Sequence, residues 1–405
     1  MPTDWTIALR FLREGRMQTL LIIAGVTVGV AVVVFITALV KGLQTSLINR
    51  TLGTQAHIVV FPPEELAQPA LDRTDSAIAA RIEARAQRLR SIDQWESMMA
   101  TLAGAPGVIT VSPMVSGPGF ASRGTATKAV AILGVDADRY RRIVAIDDDM
   151  ITGRFLITGT SGPIGSELAK DLGVTVGDKI RLTTTDGREE FLTVTGTFDV
   201  GVKELNRRWV FTTTKLAQTL LDLPGGVTNI DMTVDDIFRA DRIAAGLAAD
   251  TGLRVESWMQ TNAQLLTAFR NQNISTLTIR VFVTLIVALG IASVLVVSVV
   301  QKQKEIGILR AMGASRGAML RVFLLQGALV ALVGSVFGSA LAMAMVRLFA
   351  RLFRNVDGSP IFTPEVDWTL ILSTWLVALA AGALAALLPA RRAARLDPVA
   401  AIRAG

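Results

Sequence analysis

The chain contains no cysteine, which excludes disulfide cross-links and thiolate metal sites together. It carries one histidine, His57. A lone imidazole without a thiolate or a neighbouring carboxylate does not make a metal centre and is most often structural. Charge is scarce too, at 19% of 405 residues against 51% hydrophobic, where a soluble domain usually carries about 25%. The deficit is concentrated in four runs, 17–40, 281–300, 322–346 and 368–390, which hold no Asp, Glu, Lys or Arg at all. Arg280, at the edge of the second run, is the nearest exception. Proton relays and ion-coupled transporters place charges in the membrane. Their absence argues against a secondary transporter and against a polar substrate passing between the helices.

Enzymatic chemistry is excluded on similar grounds. "GASRG", 313–317, matches the G-x-S-x-G nucleophile elbow, which needs a preceding strand and a histidine base within reach. Here it falls between two helical patterns, and His57 lies beyond the first apolar run. The plainer assignment is a helix stop at Gly313 and an N-cap at Ser315. "GVTVGDK", 173–179, lacks the spacing of a phosphate-binding loop, and Asp178 stands where the lysine should be. "DDD", 147–149, offers weak cation binding at most, with a solvated acidic loop as the simpler reading. No ATP hydrolysis, cofactor or metal site is expected in this chain.

What the sequence does have is length and apolarity for crossing a bilayer. Each of the four runs meets the requirement of about 20 residues for a spanning helix. The first follows Arg10, Arg13 and Arg16 and exceeds the ~7–15 residues of a signal-peptide core, so it reads as an uncleaved anchor. Between Lys41 and Asn273 there are 25 basic and 27 acidic residues; the remainder holds 16 and 7. The overall charge of +7 therefore belongs to the membrane flanks, and no nucleic-acid partner is implied. Arg10, Arg13 and Arg16, then Lys302, Lys304, Arg310, Arg316 and Arg321, then Arg391, Arg392, Arg395 and Arg403 fall on one side of four crossings. The positive-inside rule makes that side cytoplasmic. Arg347, Arg351 and Arg354 fall on the other, where long side chains reach lipid headgroups.

The expected layout is an α+β membrane protein with four transmembrane helices and a large two-lobed α+β extracytoplasmic domain between helices 1 and 2. Its parts are an amphipathic cytoplasmic start (1–16), a first span (17–40), a periplasmic domain (41–273), and a second span (274–300). A cytoplasmic coupling segment (301–318), a third span (319–346), a short periplasmic loop (347–367), a fourth span (368–390) and a cytoplasmic tail (391–405) follow. Within the outer domain, "KAVAILGV", "KIRLTTT", "EEFLTVTGTF" and "RRWVFTTT" alternate as strands do. "SAIAARIEARAQRLR", "SELAKDLGV" and "KLAQTLLDL" have helical spacing. "TNIDMTV" and "DDIFRADRIAAGLAADTG" read as strand then helix. An inserted lobe is expected over about 136–224. "KGLQTSLINR" and "WMQTNAQLLTAFRNQNISTLTIR" read as helical stalks continuing the first two spans.

Two features point to function. Gly25 with Gly29, and Gly334 with Gly338, form G-x-x-x-G pairs that let helices approach closely in lipid; packing within one chain and a dimer contact both fit. The stretch "QKQKEIGILRAMGASRG", 301–317, makes a short charged helix between two spans. Ile306, Ile308, Leu309 and Met312 give it an apolar side, and Lys304, Glu305 and Arg310 a charged rim. Such a helix suits a groove on a soluble partner, with binding expected to depend on Ile306 and Leu309.

"QKQKEIGILRAMGASRGAMLRVFLLQGALVALVGSVFG" and the terminal "LPARRAARLDPVAAIRAG" resemble the MacB/FtsX-like ABC transporter permeases. "GPIGSELAKDLGVTVGDKIRLTT" and "VTGTFDVGVKELNRRWVFTTTKLAQTLLDLP" resemble the outer domain of the lipoprotein-releasing (Lol-type) members. The resemblance implies a dimer, with a second copy or a homologue, working with a separate ABC ATPase that binds ATP and Mg. It implies mechanotransmission: nucleotide-driven closure of the ATPase is relayed to the outer domain to extract or export a lipophilic substrate. By this match Lys304, Glu305, Ile306, Gly307, Ile308, Leu309, Arg310, Ala311, Met312, Gly313 and Ala314 meet the ATPase. A periplasmic adaptor or a lipoprotein carrier is the implied outer partner, and the bacterial inner membrane the location. The stretch 64–108 is longer than the family's segment, so no outer docking residue carries over. The alternative is an FtsX-like regulator of a cell-wall hydrolase, with an ATPase but no transported substance.

Overall fold

The computed structural model describes residues 2–63, 91–354 and 366–395. The helix expected over 76–90, the lengthened stretch upstream of residue 91 and the terminal motif past residue 395 lie outside them. The chain divides into two compact units: Met1–Leu47 with Thr267–Gly405, and Ile48–Leu266.

The chain opens with α1 (Pro2–Glu14) and α2 (Arg16–Leu52). Then come β1 (Ile58–Phe61), α3 (Trp95–Ala103), β2 (Val108–Arg123), β3 (Ala126–Val135), α4 (Ala137–Tyr140), β4 (Met150–Gly153) and β5 (Ser161–Gly165). They are followed by α5 (Ser166–Leu172), β6 (Lys179–Thr184), β7 (Glu189–Phe198), α6 (Lys203–Arg208), β8 (Trp209–Thr213) and α7 (Thr214–Leu220). β9 (Asn229–Val234), α8 (Ala240–Thr251), β10 (Arg254–Ser257) and α9 (Trp258–Thr261) complete the α/β part. The last four helices are α10 (Ala263–Gln301), α11 (Gln303–Ala311), α12 (Arg316–Leu352) and α13 (Trp368–Ala394).

Helices α2, α10, α12 and α13 are long and apolar enough to cross a membrane. Each is apolar nearly all round, so packing selects the inner face. On α2 that face is Ile22, Val26, Val30, Val34 and Ala38, spaced four apart, all buried. The first four join a cluster with Ile291 and Leu295 of α10, Val330 and Ala342 of α12, and Ala378 and Ala386 of α13. Leu20, Leu21, Leu285, Ile286 and Leu289 remain exposed, as lipid-facing side chains are. The glycines sort the same way. A Cβ on Gly334 would stand 2.6 Å from Val26, and one on Gly338 2.7 Å from Val30; Gly29 abuts Val287. These three are packing sites within the chain. Gly25 differs: it is exposed, and a Cβ there would meet nothing within 4 Å.

The α/β unit is organised by β2, which is 16 residues long. Its first half lies against β9, in the antiparallel order β10-β1-β9-β2. Its second half pairs with β3 on one side and with β6 on the other. From β3 the pairing runs through β8, β5 and β7 to β6 and so returns to β2, closing a ring of strands. The closure between β5 and β8 is one pair, Ile164 with Val210. Alternation drives the ring: in β6, Ile180 and Leu182 point inward while Lys179 and Arg181 are exposed. Ala121, Val130, Ile132, Ile164, Leu192 and Val210 join them in the core. A second apolar cluster gathers Tyr140, Phe155, Phe198 and Phe211, with ring centroids 5.3–5.4 Å apart around Phe211.

Candidate functional site

Three short sequences flagged earlier for chemistry turn out to hold the fold. His57 Nδ1 lies 3.1 Å from the Val234 amide and 3.2 Å from its carbonyl oxygen, and its burial lowers its pKa. Asp178 accepts from the Thr175 amide and hydroxyl, at 2.8 and 3.1 Å, and pairs with Arg123 at 3.2 Å. It closes a turn that runs between Gly173 and Gly177, both at positive φ. Asp147 pairs with Arg141 at 3.0 Å. Among the described residues no group of His, Asp and Glu is arranged to hold a metal.

The more distinctive geometry is at α11. This nine-residue helix stands between α10 and α12, and its end is a Schellman turn. The Ala314 amide donates to Leu309 O at 3.0 Å and the Gly313 amide to Arg310 O at 3.1 Å. That turn requires Gly313 at φ +100°. Two residues on, Ser315 Oγ accepts from the Ala318 amide at 3.1 Å and caps α12. The serine of "GASRG" is thus a helix cap.

The apolar side of α11 splits in two. Ile306 is fully buried, and Gly307 is buried beside it. Ile306 sits among Val299 of α10, Met319, Val322 and Phe323 of α12, and Ala390 and Ala393 of α13. Leu309 packs part-buried against the same cluster. Ile306, one of the two residues on which partner binding was expected to depend, is turned inward and anchors α11 to three spanning helices, while Leu309 keeps part of its surface open. The exposed apolar groups are Ile308 at 44% and Met312 at 81%. Lys304, Glu305, Ala311 and Gly313 are exposed around them, and Ala314 is part-buried. Arg310 turns back, its guanidinium donating to Ala394 O at 2.9 Å, where a cation complements the end of α13.

A further attachment was not foreseen. Lys302, at the break between α10 and α11, has a side chain only 11% exposed. Its ammonium reaches Glu14 Oε2 at 2.6 Å and lies 4.4 Å from the centre of the Phe11 ring. Lys302 and then Arg10 hold the Glu14 carboxyl below its ordinary pKa. Phe11 packs on Phe323, and Gln326 Nε2 donates to Ala8 O at 3.5 Å. Amphipathic α1 is thereby fastened to the break between α10 and α11 and to α12. Basic and aromatic residues at 10–14 and 302 were visible in the sequence; nothing in their spacing, 288 residues apart, joins them. The tight crossing of Gly327 on Gly382, with 2.5 Å from an added Cβ to the carbonyl oxygen, was likewise hidden. These glycines lie on different helices and form no G-x-x-x-G pair.

Four spanning helices, an α/β domain between the first and second, and a short exposed helix between the second and third define a multi-span membrane protein of the permease type. Residues 19–249 match the MacB-like periplasmic core domain and residues 277–398 the FtsX-like permease C-terminal domain. The chain belongs to the MacB/FtsX-like family of ABC transporter permeases. It is 25% identical to the lipoprotein-releasing system transmembrane protein LolC of Neisseria meningitidis serogroup B, over 98% of each chain. It is 24% identical to the macrolide export ATP-binding/permease protein MacB of Rhodopseudomonas palustris, over 98% of this chain and 59% of that one. Among solved structures, the periplasmic region of MacB from Actinobacillus actinomycetemcomitans aligns over 54% of this chain and 95% of its own, with a TM-score of 0.35 and 15% identity.

Proposed function

We propose that this chain is the membrane subunit of an ABC complex working by mechanotransmission, and that it draws a lipophilic substrate, a lipoprotein or an export cargo, from the outer leaflet. The chain would sit in the bacterial inner membrane as a dimer, with residues 41–273 periplasmic and 301–318 meeting a separate ATPase that binds ATP and Mg. The observation that carries this is the division of labour on α11. Ile308 and Met312 stand exposed within a rim of Lys304 and Glu305, while Ile306 is locked among α10, α12 and α13. A push on the exposed side is delivered through Ile306 to three spans at once. The full-length likeness to LolC supports lipoprotein release as the substrate class.

The test is reconstitution with the candidate ATPase. Ile308→Asp with Met312→Asp is expected to lower stimulation of ATP hydrolysis about tenfold or more, since central apolar contacts carry most of an interface's energy, with the permease's own melting temperature unchanged. Ile306→Asp should instead unfold the bundle end. Full stimulation by the double variant would refute docking at α11. Full stimulation with no substrate released in any assay would favour the FtsX-like regulatory role.

A further inference from the structure

Arg280 is the one charged side chain adjoining the second apolar run, and nothing in the coupling mechanism uses it. It lines an open cleft between α2, α10 and α13. The walls are aliphatic: Val30 and Val33 of α2, Val283 and Val287 of α10, Val377 and Ala378 of α13. One Arg280 amino group donates to Thr37 Oγ1 at 3.0 Å. Its Nε is sealed from solvent and, among the described residues, has no hydrogen-bond partner. Among the described residues no acidic side chain pairs with it. The cleft's hydroxyls do not serve it either. Thr284 donates to Arg280 O at 2.7 Å, and Ser373 and Thr374 donate to Leu370 O at 3.0 and 2.8 Å.

A buried guanidinium nitrogen without a partner is costly, and the geometry calls for an anion with a hydrocarbon tail. Arg280 adjoins the outer end of the apolar run 281–300, at headgroup depth. From there to Val287 is seven residues, about 10 Å of helix. Next to Val287, Gly29 brings α2 into contact with α10 and closes the cleft inward. A second copy of this chain could cover the walls, but its four apolar runs contain no Asp or Glu, and Asp367, which adjoins the outer end of the fourth run, is already paired with Lys41. We infer that this cleft is a binding site for one anionic phospholipid of the outer leaflet, its phosphate on Arg280 and the upper part of one acyl chain between α2, α10 and α13. The inference rests on the four-span architecture and not on ATP coupling, so either can fail alone.

The experiment uses the full-length chain extracted from membranes. Native mass spectrometry is expected to show one retained phospholipid per chain. In mixed micelles, phosphatidylglycerol should raise the unfolding temperature at a concentration about five- to tenfold below phosphatidylcholine, near the ~1 kcal/mol of one basic side chain at an anionic surface. Arg280→Gln should bring that ratio to about one and Arg280→Lys should keep part of it. Val377→Trp, at an exposed position filling the cleft, should abolish retention of both lipids. The inference is overturned by an unchanged lipid preference in Arg280→Gln, or by a triacylated lipopeptide lacking phosphate binding as tightly as phosphatidylglycerol. Disulfide formation in lipid between two chains carrying Ala381→Cys, at a position that also lines the cleft, would overturn it too, by putting a second copy there.

Discussion

Asp231 shows what a single residue costs and does in this fold. It lies on β9, every residue of which is buried, and accepts from Asn229 Nδ2 at 2.6 Å. Asn229 in turn accepts from Thr228 Oγ1 at 2.9 Å. Burial pushes the Asp231 carboxyl up to about 7, against the weaker opposing effect of Asn229. Its folded pKa is above its unfolded value, so the folded state holds a proton that the unfolded chain releases. Stability is fully present below about pH 4 and falls as the pH rises toward 7. Asp231→Asn is therefore expected to raise the melting temperature of the α/β unit at pH 8, by the equivalent of a few kcal/mol at roughly 1.4 kcal/mol per unit. The gain should shrink toward pH 5. Differential scanning fluorimetry across that range checks it; a constant difference would assign the effect to packing.

At the scale of elements, the glycine pairs make the sharpest case. Gly25 and Gly29 form one motif on α2, yet only Gly29 touches another helix, at Val287. Gly334 and Gly338 on α12 both receive α2, over Val26 and Val30. Gly334→Leu is expected to destabilise the bundle by about 1–3 kcal/mol, the usual overpacking cost. Gly25→Leu should fall within about 0.5 kcal/mol, as substitutions on an exposed face do. Thermal unfolding of both in one detergent is the measurement. A large loss at Gly25 would reveal a contact with a second copy there. Helix α11 carries the same lesson. Its length, its stop at Gly313 and its neighbour's cap at Ser315 follow from local chemistry. That Ile306 faces inward and Ile308 outward depends on Phe323 and Ala390, which belong to other helices.

For the whole molecule, the notable feature is continuity. Helices α2 and α10 run unbroken over 37 and 39 residues. An uninterrupted helix transmits displacement along its axis, whereas Gly-rich linkers behave as coils. On the proposed function, inserting Gly-Ser-Gly-Ser between Asn271 and Gln272 is expected to leave ATPase stimulation intact and to abolish release of substrate. Retained release would show that α10 carries no force. The expected continuous stalk was nearly complete: α10 starts at Ala263, and α9 precedes it as a separate turn capped by Ser257, whose Oγ accepts from the Gln260 amide at 3.3 Å.

Much was legible from the chain alone because its signals are local or one-dimensional. Charge-free runs mark spans, two-residue alternation marks β6 and β7, and a glycine followed by a serine marks the turn from α11 to α12. What the tertiary structure decided was which face of each apolar element is inside, and which distant residues meet. A spanning helix apolar all round has no amphipathic stripe to declare its buried side, so Gly25 and Gly29 look equivalent until α10 and α12 are placed. The Lys302–Glu14 pair, the Gly327–Gly382 crossing and the closure of β6 on β2 join residues far apart in sequence. Such contacts leave no periodicity to read, because their energy comes from complementary surfaces that exist only once the elements have packed.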